Sequence, residues 1–347
     1  MPERRFFLSR LAALPLLAMA RGNAEQTSTT RTPLKIMIKS AWGSDDLGAS
    51  SFMTHPYLNG WHVDRSRFDS MLSTAAARAG AQVFKRTTAE SVQRTGRSAW
   101  SVEANSPDGH LHFLARFVVD AAGRSGRLSS RLGARRHIVD HMVGITLESS
   151  NPKFENVMPS LIEAHPLGWW YSAGLPSGNA IAIFFTDAEV CAAERLATQH
   201  GWRRLLHESI HTRDRVGGCV FPPKPRVFPA GTHLLSPGAG DSWLAVGDAL
   251  IGRDPLSSSG VDFALASAER ANELLQALAK GSKHAADAFD AAVRSDFSNY
   301  LRQRNGYYAM ESRWPDSPYW QRRQVLPSLA QQRAPRSAES ERGTMKT

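Results

Sequence analysis

The segment that most restricts the fold is an apolar strand running into a carboxylate. Trp243-Leu244-Ala245-Val246 leads into Gly247-Asp248-Ala249, and Asp254-Pro255-Leu256-Ser257-Ser258-Ser259-Gly260-Val261 then opens a helix rich in alanine. A buried strand end of this kind delivers its Asp to the hydroxyl of a polyol, and the preceding glycine lets a ligand approach the backbone closely. Small residues at a helix start leave free N–H groups and the positive end of the helix dipole facing an electron-rich ligand. Strand-Gly-Asp by itself is equally an ordinary turn with a capping Asp. The added Asp-Pro-Leu-Ser-x-x-Gly decides for a ligand-facing loop.

The rest of the chain reads as an α/β body interrupted by a β-rich segment. Residues 66–79 carry Phe68, Met71, Leu72, Ala75 and Ala76 on one helical face, and Gly80 terminates them. Residues 81–84 and 99–102 read as short strands, Pro107-Asp108-Gly109 as a turn, and residues 111–120 as a strand. Four β-type segments (142–148, 161–165, 169–173 and 180–185) give an antiparallel pattern. Residues 190–211 read as helical. Residues 217–229, with Pro222, Pro223, Pro225 and Pro229, read as a loop, and helices are expected at 260–280 and 284–308. The polar tail after Gln331 has no aromatic residue and is expected to be disordered.

Composition excludes some partners. Hydrophobic residues make up 42% and charged ones 21% of 347, a globular balance with room for two domains. The net charge of +10 is scattered rather than striped, and no nucleic-acid motif accompanies it, which argues against nucleic acid. No apolar run is long enough for a membrane span. Cys191 and Cys219 read as free thiols, and no metal cluster is expected.

Three further segments carry chemistry. Val118-Val119-Asp120-Ala121-Ala122-Gly123-Arg124-Ser125-Gly126 is a strand followed by a tight turn. In Gly60-Trp61-His62-Val63-Asp64-Arg65-Ser66-Arg67-Phe68-Asp69, Arg65 stands at a helix start, where it could reach an anionic ligand or pair with Asp64 or Asp69 at the surface. Gly168-Trp169-Trp170-Tyr171-Ser172-Ala173-Gly174-Leu175-Pro176 holds adjacent tryptophans, which on a strand face opposite ways. One can line a pocket while the other packs in the core; both in the core is the alternative. Trp42, Trp314, Tyr319 and Trp320 add aromatic side chains.

In this order, the segments resemble the FAD-dependent monooxygenases built like para-hydroxybenzoate hydroxylase. Among these they are most similar to the flavin-dependent halogenases and the relatives that hydroxylate aromatic side chains of peptides. The resemblance runs from about residue 35 to 325. It implies FAD, with Asp248, after Gly247, on the ribityl chain and Pro255, Ser257, Gly260 and Val261 bordering the isoalloxazine. It puts Asp120, Gly123 and Arg124 near the adenosine half, Arg65 on phosphate or ribityl oxygens, and Trp42, Trp169 and Trp170 toward the substrate. Departures are Ala122 for a frequent Thr, Ser258 and Ser259 for a frequent Gly and Gln, and the adjacency of the two tryptophans.

The implied activity is hydroxylation of an aromatic substrate, of indole or peptidyl kind, via a C4a-(hydro)peroxyflavin. Electrons would come from reduced nicotinamide or a flavin reductase, an electron-donor protein. The alternatives are a flavin-fold protein without catalysis, or a flavin dehydrogenase or reductase that uses no oxygen. The implied fold is α/β (α+β): a three-layer FAD-binding domain (35–136 and 226–312) with an inserted antiparallel sheet as substrate domain (137–225). Residues 313–347 would be a C-terminal extension, disordered after about 330. The family's opening Gly-x-Gly-x-x-Gly motif does not occur in this sequence, so the FAD-binding domain is expected to be incomplete and its affinity weak. Lys35 and Lys39 lie outside the context of the halogenase lysine, which argues against halogenation. Residues 1–34 read as a remnant helix plus linker in a cytoplasmic protein. The alternative is a twin-arginine-like export signal at 1–24, with Arg4-Arg5-Phe6-Phe7-Leu8 before an apolar run.

Overall fold

The structure, a computed structural model, describes residues 34–35, 37–51, 60–61, 65–96, 99–150, 159–175 and 177–324. The readings of residues 1–33 and of the tail after 330 lie outside them. The first described elements are strands β1 (Leu34–Lys35), β2 (Met37–Ala41), β3 (Gly48–Ser51) and β4 (Gly60–Trp61), then helix α1 (Arg65–Arg78). A meander of β5 (Thr88–Thr95), β6 (Ala99–Ser106) and β7 (Gly109–Ala115) leads to β8 (Val118–Asp120), α2 (Arg127–Arg131) and β9 (Arg135–Ile138). The β-rich middle holds β10 (Met142–Glu148), β11 (Ser160–His165), β12 (Gly168–Gly174) and β13 (Ala180–Asp187). Helices α3 (Ala188–Ala193), α4 (Gln199–Glu208) and α5 (His211–Val216) follow it. Five short strands come next: β14 (Arg226–Pro229), β15 (His233–Ser236), β16 (Ala239–Gly240), β17 (Trp243–Ala245) and β18 (Ile251–Gly252). Helices α6 (Gly260–Ala279), α7 (Ala285–Ala309) and α8 (Pro318–Gln324) complete the described chain.

A seven-stranded sheet dominates, in the order β14-β10-β13-β12-β11-β2-β3. All its pairings are antiparallel except β11 with β2. Alternation of side chains splits its residues between two cores. On one face Ile145, Leu147, Trp170 and Phe184 pack with Leu196, Trp202, Leu205 and Val216, contributed by α4, α5 and the turn after α3. Thr198 starts α4 by accepting the Gly201 N–H at 3.0 Å, an ordinary N-cap. On the other face Met142, Ala164, Trp169 and Phe185 pack with Tyr308 of α7 and with Tyr319 and Trp320 of α8. The third core lies around β8, β15 and β17, with Leu244, Ala245 and Ile251 meeting Phe263 of α6 and Phe297 of α7.

The structure departs from the sequence reading where tertiary context outweighs local pattern. The inserted sheet is wider than residues 137–225, since β2 and β3 join one side and β14 the other. The proline-rich stretch 217–229 ends in strand β14, which is tolerated because β14 is an edge strand and needs donors on one side only. Residues 81–84 form no strand. Gly80, at φ +94°, ends α1, and Phe84 merely meets Phe113 edge-on at 5.2 Å. The expected strand 111–120 divides into β7 and β8 at Arg116-Phe117, because β8 leaves the meander to pair with β17. Residues 190–211 are largely helical, as expected, in the short helices α3 to α5. The apolar face read on α1 is present, yet none of its residues is buried. Cys191 and Cys219 are not joined in a disulfide. No helix of the described residues is long and apolar enough to cross a membrane.

Trp169 and Trp170 do point to opposite faces, but both faces are covered: they are 1% and 0% exposed. Trp169 stacks on Phe185 with centroids 4.3 Å apart, and Trp170 meets Trp202 edge-on at 5.4 Å. The expectation that one of them lines a pocket therefore gives way to core packing. Trp170→Ala is predicted to cost about 3–5 kcal/mol of stability, the usual range for emptying a buried aromatic site. Chemical denaturation of the two proteins would check it; a loss under about 1 kcal/mol would mean that the site is not closed.

Candidate functional site

The parallel pairing of β8 with β17 creates the site. Val118 lies opposite Trp243, Val119 opposite Leu244 and Asp120 opposite Ala245. Parallel strands end on the same side, so the turn after Asp120 and the turn after Ala245 emerge next to each other, the position where open α/β sheets bind ligands. Gly247 adopts φ +55°, which a side chain would resist, and its N–H donates to Ser267 Oγ of α6 at 2.9 Å. Asp248 follows with its side chain 35% exposed.

Arg124 joins the two turns. Its Nε lies 3.2 Å from Asp248 Oδ2. Its Nη2 donates to the Arg253 carbonyl at 2.6 Å and its Nη1 to the Gly231 carbonyl. One guanidinium thus ties together three separate loops, using the fork geometry that distinguishes arginine. Among the described residues Asp248 Oδ1 has no partner, so one carboxylate oxygen is held and the other is available. His233 lies beneath, its Nε2–H donating to the Asp248 carbonyl at 3.0 Å. Burial lowers the pKa of His233 to about 4, and the nearby charges of Arg136 and Arg124 push the same way.

Asp120 is buried at the base of the turn. It is 1% exposed, and its carboxylate accepts from Ala122 N (3.0 Å), Ser129 N (2.9 Å) and Ser129 Oγ. It shapes the turn that carries Gly123 and presents Arg124, and it has no exposure to a ligand. Arg65 is two-thirds exposed (66%) and pairs with Asp69 one helical turn on, at 3.3 Å. No contact among the described residues ties it to Arg124 or Asp248.

The loop Pro255 to Ser259 and the start of α6 form the second wall. Asp254 caps a 3-10 turn at Pro255–Ser257 by accepting the Leu256 N–H at 2.9 Å. Ser257 Oγ bonds to the Asp254 carbonyl at 2.9 Å and approaches Ser259 Oγ at 2.8 Å. Ser259 starts α6 without a side-chain cap. A Cβ built on Gly260 meets nothing within 4 Å, and Val261 is 37% exposed. The helix start therefore presents free amides and open space. Arg253 lies behind it, its guanidinium 4.1 Å from the Phe263 ring.

Leu256 leans on the same cluster as Trp169 and Phe185, so this loop meets the face of the large sheet. Further along that face, Ile162, Tyr171 and Ile183 are only half-buried. Register makes them a row, with Ile162 opposite Tyr171 and Tyr171 opposite Ile183. The Tyr171 hydroxyl lies 3.2 Å from Ser160 Oγ, and burial raises its pKa. Tyr171 is the aromatic residue of the Gly168–Gly174 strand that stays partly exposed, on the same face as Trp169. Trp42 is half-buried; its Nε1 donates to the Tyr307 carbonyl at 2.9 Å and its ring meets Trp320 edge-on at 5.2 Å. A cavity of about 620 Å³ lined by Trp100, Arg131, Asp241 and Trp243 lies at the opposite, N-terminal end of β17 and is not part of this site.

The tryptophan halogenase family model matches residues 11–343. LodB of Marinomonas mediterranea, assigned as an FAD-dependent oxidoreductase, is 31% identical over 294 residues, covering 84% of this chain and 78% of LodB. Tryptophan 2-halogenase of Chondromyces crocatus is 24% identical over 257 residues, 70% of this chain but only 48% of that protein. The chain thus spans about half the length of that relative. Among solved structures, the myxobacterial chondrochloren halogenase CndH superposes with a TM-score of 0.78 at 21% identity, over 94% of this chain and 79% of CndH. The peptidyl tryptophan dihydroxylase QhpG superposes with a TM-score of 0.69 at 21% identity, over 94% and 72%.

The residues present fit FAD on their own chemistry: a carboxylate with one oxygen available, a glycine without a side chain beside it, and a helix start with open amides. Asp248→Ala is predicted to weaken FAD binding by roughly tenfold to a hundredfold, the equivalent of a charged hydrogen bond of about 1.5–3 kcal/mol. Flavin fluorescence titration reads this, and an unchanged affinity would remove Asp248 from the site. A second prediction concerns pH. Burial also lowers the pKa of His165 to about 4. Below about 6.5 the unfolded chain takes up protons that folded His165 and His233 refuse, so stability falls on acidification. Each should contribute about 1.4 kcal/mol per pH unit between about 6.5 and about 4. Melting temperatures across that range check this, and His165→Gln should flatten the slope.

Proposed function

The chain belongs to the tryptophan halogenase family, and on that premise we propose that this FAD-dependent oxidoreductase is a monooxygenase that hydroxylates an indole ring carried on a peptide. The observation that carries the proposal is the juxtaposition just described. Arg124 and Asp248 fix a carboxylate at a strand end, and Leu256 packs the adjoining loop on the same aromatic cluster that the half-buried row of Ile162, Tyr171 and Ile183 packs against. When bound, FAD supplies the redox chemistry that activates oxygen. Asp248 would hold a ribityl hydroxyl through its available oxygen. The first amides of α6 would offer partial positive charge to an electron-rich group of the cofactor. The row Ile162-Tyr171-Ile183 supplies a flat, water-excluding surface for an aromatic ring, and aromatic pairs prefer the offset or edge-on arrangements that a single tyrosine permits.

Two considerations favour hydroxylation of a peptide over halogenation. Neither Lys35 nor Lys39 stands in the sequence context of a halogenating lysine. QhpG, which shares the fold, is a peptidyl tryptophan dihydroxylase, and the row of Ile162, Tyr171 and Ile183 is only half-buried. Electrons come from reduced nicotinamide or from a flavin reductase acting as partner.

The test is direct. The protein, with added FAD and a chemical or enzymatic source of reduced flavin, is incubated with a tryptophan-containing peptide and isotopically labelled oxygen gas. The expected product carries label from the gas. A product carrying chlorine or bromine when those salts are present would replace the hydroxylase reading with a halogenase. A chain that takes up no FAD would leave a flavin-fold protein without this catalysis. Tyr171→Ala is predicted to lower kcat/KM for the peptide roughly tenfold to a hundredfold, matching about 1.5–3 kcal/mol of lost apolar contact, with FAD affinity unchanged. A variant that loses FAD instead would move Tyr171 out of the substrate wall.

A further inference from the structure

Behind the loop Pro255 to Ser259 lies a buried polar cluster that the proposed chemistry does not use. Asp254 is 1% exposed, and every oxygen of its carboxylate is engaged. Oδ1 accepts the Leu256 N–H, and Oδ2 accepts Arg304 Nε at 3.0 Å and the Tyr308 hydroxyl at 2.8 Å. Its own N–H donates to the Tyr300 hydroxyl. The Arg304 side chain is 3% exposed, and its other arm donates from Nη2 to Asp140 Oδ2 at 2.8 Å. Asp140 in turn accepts the N–H groups of Met142 and Thr232 through Oδ1, both at 3.2 Å. Burial opposes the charge on Arg304, but Asp254, Asp140 and Tyr308 more than reverse this, so it stays protonated.

The cluster spans the molecule. Asp254 begins the ligand-facing loop, Arg304 and Tyr308 lie on α7, and Asp140 precedes β10 of the large sheet. Tyr308 also receives Trp169 Nε1 at 3.2 Å, from the face that carries Tyr171. A buried ion pair contributes little net stability, because desolvation consumes most of the Coulombic gain. Its stronger effect is on specificity of arrangement: removing one partner leaves an unpaired buried charge, so the members stay in one geometry.

We propose that Asp254 is a positioning residue: through the Arg304 fork and the Tyr308 hydroxyl it sets where the loop Pro255 to Ser259 stands relative to the apolar row of the sheet. This rests on the reading of that loop as the border of the flavin ring. The loop has no other charged anchor to the sheet among the described residues, whereas Arg304 reaches Asp254 and Asp140 at once. A lysine, a single-point donor, cannot reproduce that reach.

The test compares wild-type protein with Asp254→Asn, Tyr308→Phe and Arg304→Lys by hydrogen exchange, with and without FAD. Visible circular dichroism of added FAD is measured in parallel. Tyr308→Phe keeps every charge and the ring, so it remains informative if Asp254→Asn fails to fold. The expected result is exchange of the Pro255–Val261 amides roughly tenfold faster in each variant, with β12 and α4 unchanged, as for a local opening. The visible dichroism of bound FAD should change as well. Unaltered exchange of the loop in Tyr308→Phe overturns the proposal. So does a loosened loop with unaltered dichroism, which would reduce the cluster to a structural role. Full retention of both signals by Arg304→Lys would show that the fork is not needed and overturn it too. If wild-type protein takes up no FAD, the monooxygenase reading falls, while exchange in the absence of FAD still decides whether the cluster holds the loop.

Discussion

The contact between Arg124 and Asp248 is the interaction on which the site depends. The two residues belong to turns that follow different strands, and only the parallel pairing of β8 with β17 brings those turns together. The guanidinium then satisfies two backbone carbonyls as well as the carboxylate. Such a clamp serves better than a flexible ammonium, because its donors are fixed relative to one another. It also leaves Asp248 half-committed, which is what a ligand-binding carboxylate requires: orientation from one oxygen, capacity on the other.

The large sheet supplies a rigid backing for that site. Its two faces are closed by different parts of the chain, α3 to α5 on one side and the C-terminal helices on the other. The C-terminal helix is held by charge as well as by packing. Arg323 is 1% exposed and donates to Asp187 Oδ1 at 2.5 Å, and Arg322 reaches Asp187 Oδ2 at 3.1 Å. Residues after 312, which the sequence presents as an extension, are therefore part of the sheet's covering layer as far as α8.

What was legible in the sequence was what local pattern encodes. Alternation over 142–185 gave all four middle strands, and the apolar run before Gly247-Asp248 gave β17, because period-two burial needs no distant information. Helices α6 and α7 were legible for the corresponding reason. The partners were not legible. Nothing in the spacing of Arg124 and Asp248 announces that they meet, and Arg304 sits mid-helix like any solvent-facing arginine until Asp254 and Asp140 are seen around it. The tryptophan pair shows the same limit: alternation correctly assigns opposite faces, but whether each face is covered depends on segments far along the chain. Arg65 shows the reverse, since its ion pair with Asp69 is a local contact of the kind that spacing does announce.

The Tyr308 hydroxyl has one hydrogen to give and three neighbours besides its own ring: the Asp254 carboxylate, the Trp169 indole N–H and, at 3.4 Å, the Tyr319 hydroxyl. A carboxylate only accepts and an indole only donates, so the direction of those two bonds is determined. Tyr308 gives its hydrogen to Asp254 and receives from Trp169, while the Tyr319 hydroxyl gives its own hydrogen to Met142 Sδ at 3.7 Å. The polarity of the chain therefore runs one way, from the Trp169 indole of the sheet through Tyr308 toward the loop, with each bond polarising the next. The aromatic packing of the sheet and the charge beneath the ligand loop are in this sense one electrical object, and the loop feels the ordering of residues that never approach it.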